Sequence, residues 1–186
     1  MRVEANFIEE YKKADAAEKV EIICKNYPNF IGIIDGQTEG LCYMILNERL
    51  FHHGNSQNEL GVCVQTSGLN NDVTANAAIN NVVTKQAVID CDFSGGVLEG
   101  LESKKEYEER AIALRRMRMD YELFRGQLGS LPLNDSRIFL GYLSGNKSLE
   151  EIASEEHITY NCLAKRIRRI KFKIKVQMVE FINGIV

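Results

Sequence analysis

The stretch from Ser148 to Lys175 constrains this chain more than any other. Ser148 and Glu151 stand three apart, the spacing of a capping box in which a hydroxyl and a carboxylate close the open end of a helix. Ile152 and Ala153 follow as its apolar side, and alanine's small size permits a close helix crossing. Thr159 then offers a second cap, and Leu163, Ile167 and Ile170 recur at intervals of four and three, the buried stripe of a second helix. The spacing therefore predicts a short acidic helix, a tight turn plugged by Ile158, and a strongly basic helix. That is the order of a helix-turn-helix, with Tyr160, Asn161, Ala164, Lys165 and Arg168 left facing outward near the start of its second helix.

The charge distribution singles out the same place. The chain carries 23 basic and 26 acidic residues, a formal charge of −3 that by itself argues against a polyanionic partner. Between Thr159 and Met178, however, the charged residues are Lys165, Arg166, Arg168, Arg169, Lys171, Lys173 and Lys175, with no carboxylate among them. Without those seven the remainder stands at −10, so the positive field is concentrated in one element, as duplex DNA recognition requires.

The rest of the 186 residues, 45% hydrophobic, suffice for a real core and read as all-α. Phe7, Ile8 and Tyr11, then Val20, Ile22 and Ile23, fall at helical intervals until Tyr27-Pro28 interrupts them. A further helix is expected from about Gln37, with Leu41, Met44, Ile45 and Leu50 on one side, ending by Gly54. Leu60 to Thr66 is short and β-branched, a single strand or a packed loop. Past a helix start at Asn71 or Asp72, the residues Ala78, Ile79, Val82, Val83, Ala87 and Ile89 give a one-sided pattern that predicts a packed helix. Ser94-Gly95-Gly96 is the expected boundary or hinge.

From Lys104 to Leu128 no proline or glycine precedes Gly126, and Leu114, Met117, Tyr121, Phe124 and Leu128 alternate in steps of three and four. That seam predicts a long connecting helix packed within the chain or against a second copy. The charges on its other side, Glu106, Glu108, Glu109, Arg110, Arg115, Arg116 and Arg118, are those of a solvated face. Pro132, with Asn134 and Asp135 as caps, opens another helix through Ile138 to Leu143, which Ser144-Gly145-Asn146 ends. The segmentation is then an N-terminal helical region of unassigned role over 1–95, an amphipathic connecting helix over 97–130 and a three-helix unit over 131–186.

On these residues, 131–175 resembles the region-4 helix-turn-helix of sigma-70-type factors. The whole chain is similar to phage and prophage transcriptional regulators of the RinA/ArpU kind, most closely over its last 45 or so residues. The resemblance implies a sequence-specific regulator that binds double-stranded DNA and works through RNA polymerase. By position, Thr159 would touch phosphate, Tyr160, Asn161 and Lys165 would reach base edges, and Arg166, Arg168 and Arg169 would hold the backbone. Two residues depart from the pattern: His157 stands where a glycine usually takes the left-handed turn, and Glu156 where the residue is usually apolar.

Other readings compete. A basic amphipathic helix alone also suits a solvated face, an acidic protein or lipid headgroups. A protein-interaction module docking on polymerase, or a small terminase-like packaging subunit, would carry the same motif. A homodimer would form through Leu114, Met117, Tyr121, Phe124 and Leu128. A complete sigma factor fits less well, because the chain has no tryptophan and no second cluster of basic and aromatic residues. No catalytic motif and no phosphate loop stands out, so neither an enzyme nor a cofactor is expected. Cys42, His52, His53 and Cys63 lack metal-site spacing. Five irregularly spaced cysteines, with no leader and no run apolar enough for a membrane, point to a reducing cytoplasm. Cys162 is expected to pack beside Leu163.

Overall fold

The computed structural model describes residues 3–57 and 73–184, with side chains from residue 7 to 51 and from 78 onward. The helices are α1 (Val3–Lys13), α2 (Ala16–Asn26), a single 3-10 turn (Tyr27–Asn29), α3 (Phe30–Gln57), α4 (Val73–Asp90), α5 (Lys104–Gly129), α6 (Leu133–Ser144), α7 (Leu149–Glu155) and α8 (Tyr160–Asn183). No strand occurs among the described residues, so the fold is all-α as expected. The run Leu60 to Thr66, with Cys63, lies outside them. No described helix is long and apolar enough to cross a membrane.

The chain divides into two compact units, one made of residues 1–33 with 116–186, the other of 34–115. The divisions fall inside α3 and α5, not at Ser94-Gly95-Gly96. That glycine break sits within the second unit, because Val97, Leu98 and Leu101 immediately after it are buried. The N-terminal 33 residues therefore group with the basic helix, which the 1–95, 97–130 and 131–186 segmentation separates from them.

In the first unit, α2 starts with a capping box that the sequence reading passed over: the Glu18 amide donates to Asp15 Oδ1 at 2.7 Å and the Asp15 amide to Glu18 Oε2 at 2.9 Å. Pro28 does interrupt α2, but the chain stays helical. Proline at the first turn of the 3-10 segment lacks an amide that needs no acceptor there, and α3 begins at Phe30 instead of Gln37. Gly32 and Gly36 obscure this early start, since each glycine costs a helix about 1 kcal/mol. Packing overrides that cost: Phe30 is fully buried, its ring stacked on Tyr121 at 5.4 Å and 6.0 Å from that of Tyr11.

The α5 seam packs within the chain, the first of the two alternatives its spacing offered. Leu114, Met117, Tyr121, Phe124 and Leu128 are all buried by the chain itself, with Tyr27 set against Tyr121 and Phe124 at 5.7 and 5.8 Å. These side chains already have neighbours and offer no surface to a second copy. Beside them the Tyr11 hydroxyl donates to Asp120 Oδ2 at 2.9 Å. Burial raises the pKa of both groups, opposed at Asp120 by the hydrogen bond that stabilises its charge.

The second unit is held by Ile34, Leu41, Ile45, Val88, Leu98, Tyr107 and Ala111. Glu48 joins α3 to the start of α5, accepting from the Ser103 amide at 3.1 Å and the Tyr107 hydroxyl at 2.5 Å. Met44 and Leu50, expected on the packed side of α3, are exposed instead. The pattern on α4 is inverted more completely. Ala78, Ile79, Val82, Val83 and Ile89 face outward, while Thr84 and Val88 form the buried side.

Candidate nucleic-acid interface

Local hydrogen bonds build the helix-turn-helix as its residues dictate. The Glu151 amide donates to Ser148 Oγ at 3.2 Å and the Ser148 amide to Glu151 Oε2 at 2.7 Å, so the capping box fixes the start of α7. At the other end, His157 takes the left-handed conformation with φ of 53°; its amide donates to the Ser154 carbonyl at 3.2 Å and the Ile158 amide to the Ala153 carbonyl at 3.0 Å. These two bonds are those of a Schellman turn, which normally has glycine at the left-handed residue. Histidine accepts the strain at a cost of about 1–2 kcal/mol because the turn on either side is held. Glu156 is the second departure from the pattern and has its own reason. Its carboxylate is largely buried and receives the Arg137 guanidinium at 2.8 Å, so an ion pair from α6 occupies the place of an apolar plug.

Thr159 Oγ1 accepts from the Cys162 amide at 3.3 Å and starts α8. Leu163, Ile167, Ile170, Ile174 and Met178 form one buried line along this helix, at steps of four, three, four and four. Two flanking contacts then orient α8. On one flank Arg166 Nε meets Asp135 Oδ1 of α6 at 2.5 Å, with both side chains mostly buried. On the other, Lys171 pairs with Glu21 of α2, and Lys175 Nζ lies 3.6 Å from the same carboxylate. Burial works against the Lys171 charge, yet the hydrogen bond it donates to Glu21 prevails and its pKa is raised. Nearby, burial pushes the Cys24 thiol up to about 12, so it is an inert packing group.

This arrangement sorts the basic residues. Arg166, expected to grip a backbone, is committed to Asp135, and Lys171 and Lys175 are committed to Glu21. Lys165, Arg168, Arg169 and Lys173 are exposed and form no ion pair among the described residues. Asn161, Lys165 and Arg168 share one line of the helix, at steps of four and three. Tyr160, on the first turn, is 47% exposed, and Thr159 is exposed although its hydroxyl caps the helix. Cys162, expected to pack beside Leu163, is exposed instead. Asp135 does not cap α6; that helix begins after Pro132 without a side-chain cap, which frees the carboxylate for Arg166.

Phe172 was not among the residues expected on the outward face. It continues the Asn161–Lys165–Arg168 line by a further step of four and is 67% exposed, with Val176 another step beyond. The same spacing that selected the outward residues near the start of α8 would have found both. Of the four residues weighed as metal ligands, only Cys42 has a described side chain, and it is buried. No group of three or more histidine, cysteine or carboxylate side chains positioned for a metal occurs among the described residues. No protein-family model, curated protein or solved structure matches this chain.

Proposed function

We propose that this protein is a sequence-specific, double-stranded DNA-binding transcription regulator, with α8 as the helix that enters the major groove. The observation that carries the proposal is the outward line of α8. It has an amide at Asn161, then cations at Lys165 and Arg168 with Arg169 beside them, none in an ion pair among the described residues, on a helix braced from both flanks and capped at its start. An asparagine amide can pair bidentately with adenine, and arginines beside it can contact phosphates. Tyr160 and Thr159 complete the approaching end. The resemblance of 131–175 to sigma-70 region 4 and of the whole chain to phage and prophage regulators points the same way and adds a phage or prophage origin with RNA polymerase as partner.

The intramolecular pairs make the proposal quantitative. Seven phosphate contacts would give a slope of about −6.3 in log affinity against log salt, whereas the four exposed cations of α8 outside those pairs give about −3.6. Fluorescence anisotropy on a random-sequence duplex, across a salt series, measures the slope. Exchanging Arg168 and Arg169 together for alanine weakens binding to all duplexes and reduces the slope by about 1.8, while Asn161→Ala relaxes preference at one base in selection from a duplex pool. Unchanged binding in the double arginine variant would sink the assignment.

Phe172 and Val176 favour a second reading, in which the end of the outward line contacts a protein such as polymerase and DNA is incidental. Absence of any duplex binding by the intact protein would select it.

A further inference from the structure

The α4 helix is turned inside out. Thr84 is fully buried and its hydroxyl has no hydrogen-bond partner among the described residues, while Ile79 is 59% and Val82 69% exposed, with Val83 and Ile89 exposed beside them. Burying an unsatisfied hydroxyl while leaving branched aliphatics in water is unfavourable on both counts. The outward residues are not scattered. Ile79, Val82, Gln86 and Ile89 follow in steps of three, four and three, the repeat of a helix that packs against another helix.

Charge identifies the occupant. From Val73 to Asp90 the helix has two charged residues, Lys85 and Asp90, which flank this seam on opposite sides and stand five apart. In a parallel, in-register pair of such helices, each lysine lies beside the aspartate of the other copy. Gln86, whose Nε2 donates to Asp90 Oδ2 at 2.6 Å within one chain, then faces Gln86 across the two-fold axis with its amide oxygen still able to accept, and a polar core residue there fixes register. A strongly charged partner would find little to answer it, because apart from Lys85 and Asp90 the seam is flanked by the uncharged Ala78 and Val83. We infer that α4 is a self-association surface, forming a parallel two-fold dimer with a second copy through Ile79, Val82, Gln86 and Ile89.

Lys85 is held by Glu39 of α3 within one chain. An ammonium has three donors, so it keeps that partner while reaching a second carboxylate. The surface is small. An 18-residue helix is about 27 Å long and, at a width of about 10 Å, covers well under half of the roughly 800 Å² per partner of a standard interface. The dimer is accordingly weak, and its formation is visible as a function of concentration.

Sedimentation equilibrium on the full chain tests this. The apparent mass is expected to climb from one chain towards two as the concentration rises from about 5 µM to about 500 µM. Val82→Glu holds it at one chain throughout. Gln86→Ile places an aliphatic at the polar core position and moves the transition to at least about tenfold lower concentration with the mass levelling at two chains, whereas aggregation of a misfolded variant would not stop there. A single-chain mass for the natural sequence over the whole range would overturn the inference. So would a Gln86→Ile variant that associates no more tightly, or a dimer that a folded Val82→Glu variant leaves intact.

Discussion

In the first unit the apolar line of each long helix ends in a core: Leu163 to Met178 on α8 and Met117 to Leu128 on α5 are buried throughout. In the second unit α4 turns Ile79, Val82 and Ile89, a line interrupted by Gln86, to solvent, with Thr84 inward. The two helices differ in what surrounds them. On α8, Asp135 and Glu21 hold the two flanks and leave one orientation available. On α4 the polar ties lie at the surface and towards one end, Lys85 with Glu39 and the Arg115 guanidinium on the Asp90 carbonyl. Periodicity therefore shows that a helix has a face, and neighbouring elements determine where that face goes.

The largest effect expected from this contrast comes from truncating one residue of each kind. Phe124→Ala opens a cavity in the first unit and should cost roughly 3–5 kcal/mol in denaturant unfolding, while Val82→Ser should stay within about 0.5 kcal/mol at a concentration where the chain is monomeric. Similar losses at both sites would mean that the α4 face is not a free surface.

A smaller effect separates the two flanks of α8. Asp135→Ala leaves the mostly buried Arg166 guanidinium unpaired and should cost roughly 1–3 kcal/mol. Glu21→Ala, whose carboxylate is half exposed, should cost about 1 kcal/mol or less. The reverse order, measured by thermal unfolding of both variants, would make α2 the principal brace.

The smallest effect concerns pH. Burial raises the pKa of Asp120 in the fold, so its contribution to stability is full below its unfolded pKa of about 4 and is lost as pH rises through the folded value. An asparagine at this position would carry no charge and would still accept from the Tyr11 hydroxyl. Asp120→Asn should therefore melt above the natural protein at neutral pH, with the gap closing on acidification. A variant that melts lower at neutral pH would show that the charged hydrogen bond outweighs the cost of burying the carboxylate.

Much of the candidate interface was legible in the residues alone. The Ser148–Glu151 box, the Thr159 cap and the buried line of Leu163, Ile167 and Ile170 all depend on hydrogen bonds and spacings within a few residues. The fate of Arg166 was not legible, because its partner Asp135 lies 31 residues away and read as a cap. Nor was the role of Glu21, which sits in α2 at the far end of the chain from Lys171. Local propensity also misplaced the start of α3, since the glycines that weaken a helix are outweighed there by the burial of Phe30 and Ile34.

Helical class, the position of the turn and the concentration of positive charge in α8 all follow from the chain read as a string, because caps, periodicity and net charge are properties of neighbouring residues. Which of those charges remain free, which apolar seam is closed and which way α4 faces were settled by packing. Each of these depends on segments far apart in the chain meeting in space, and a linear pattern contains the faces but not their partners.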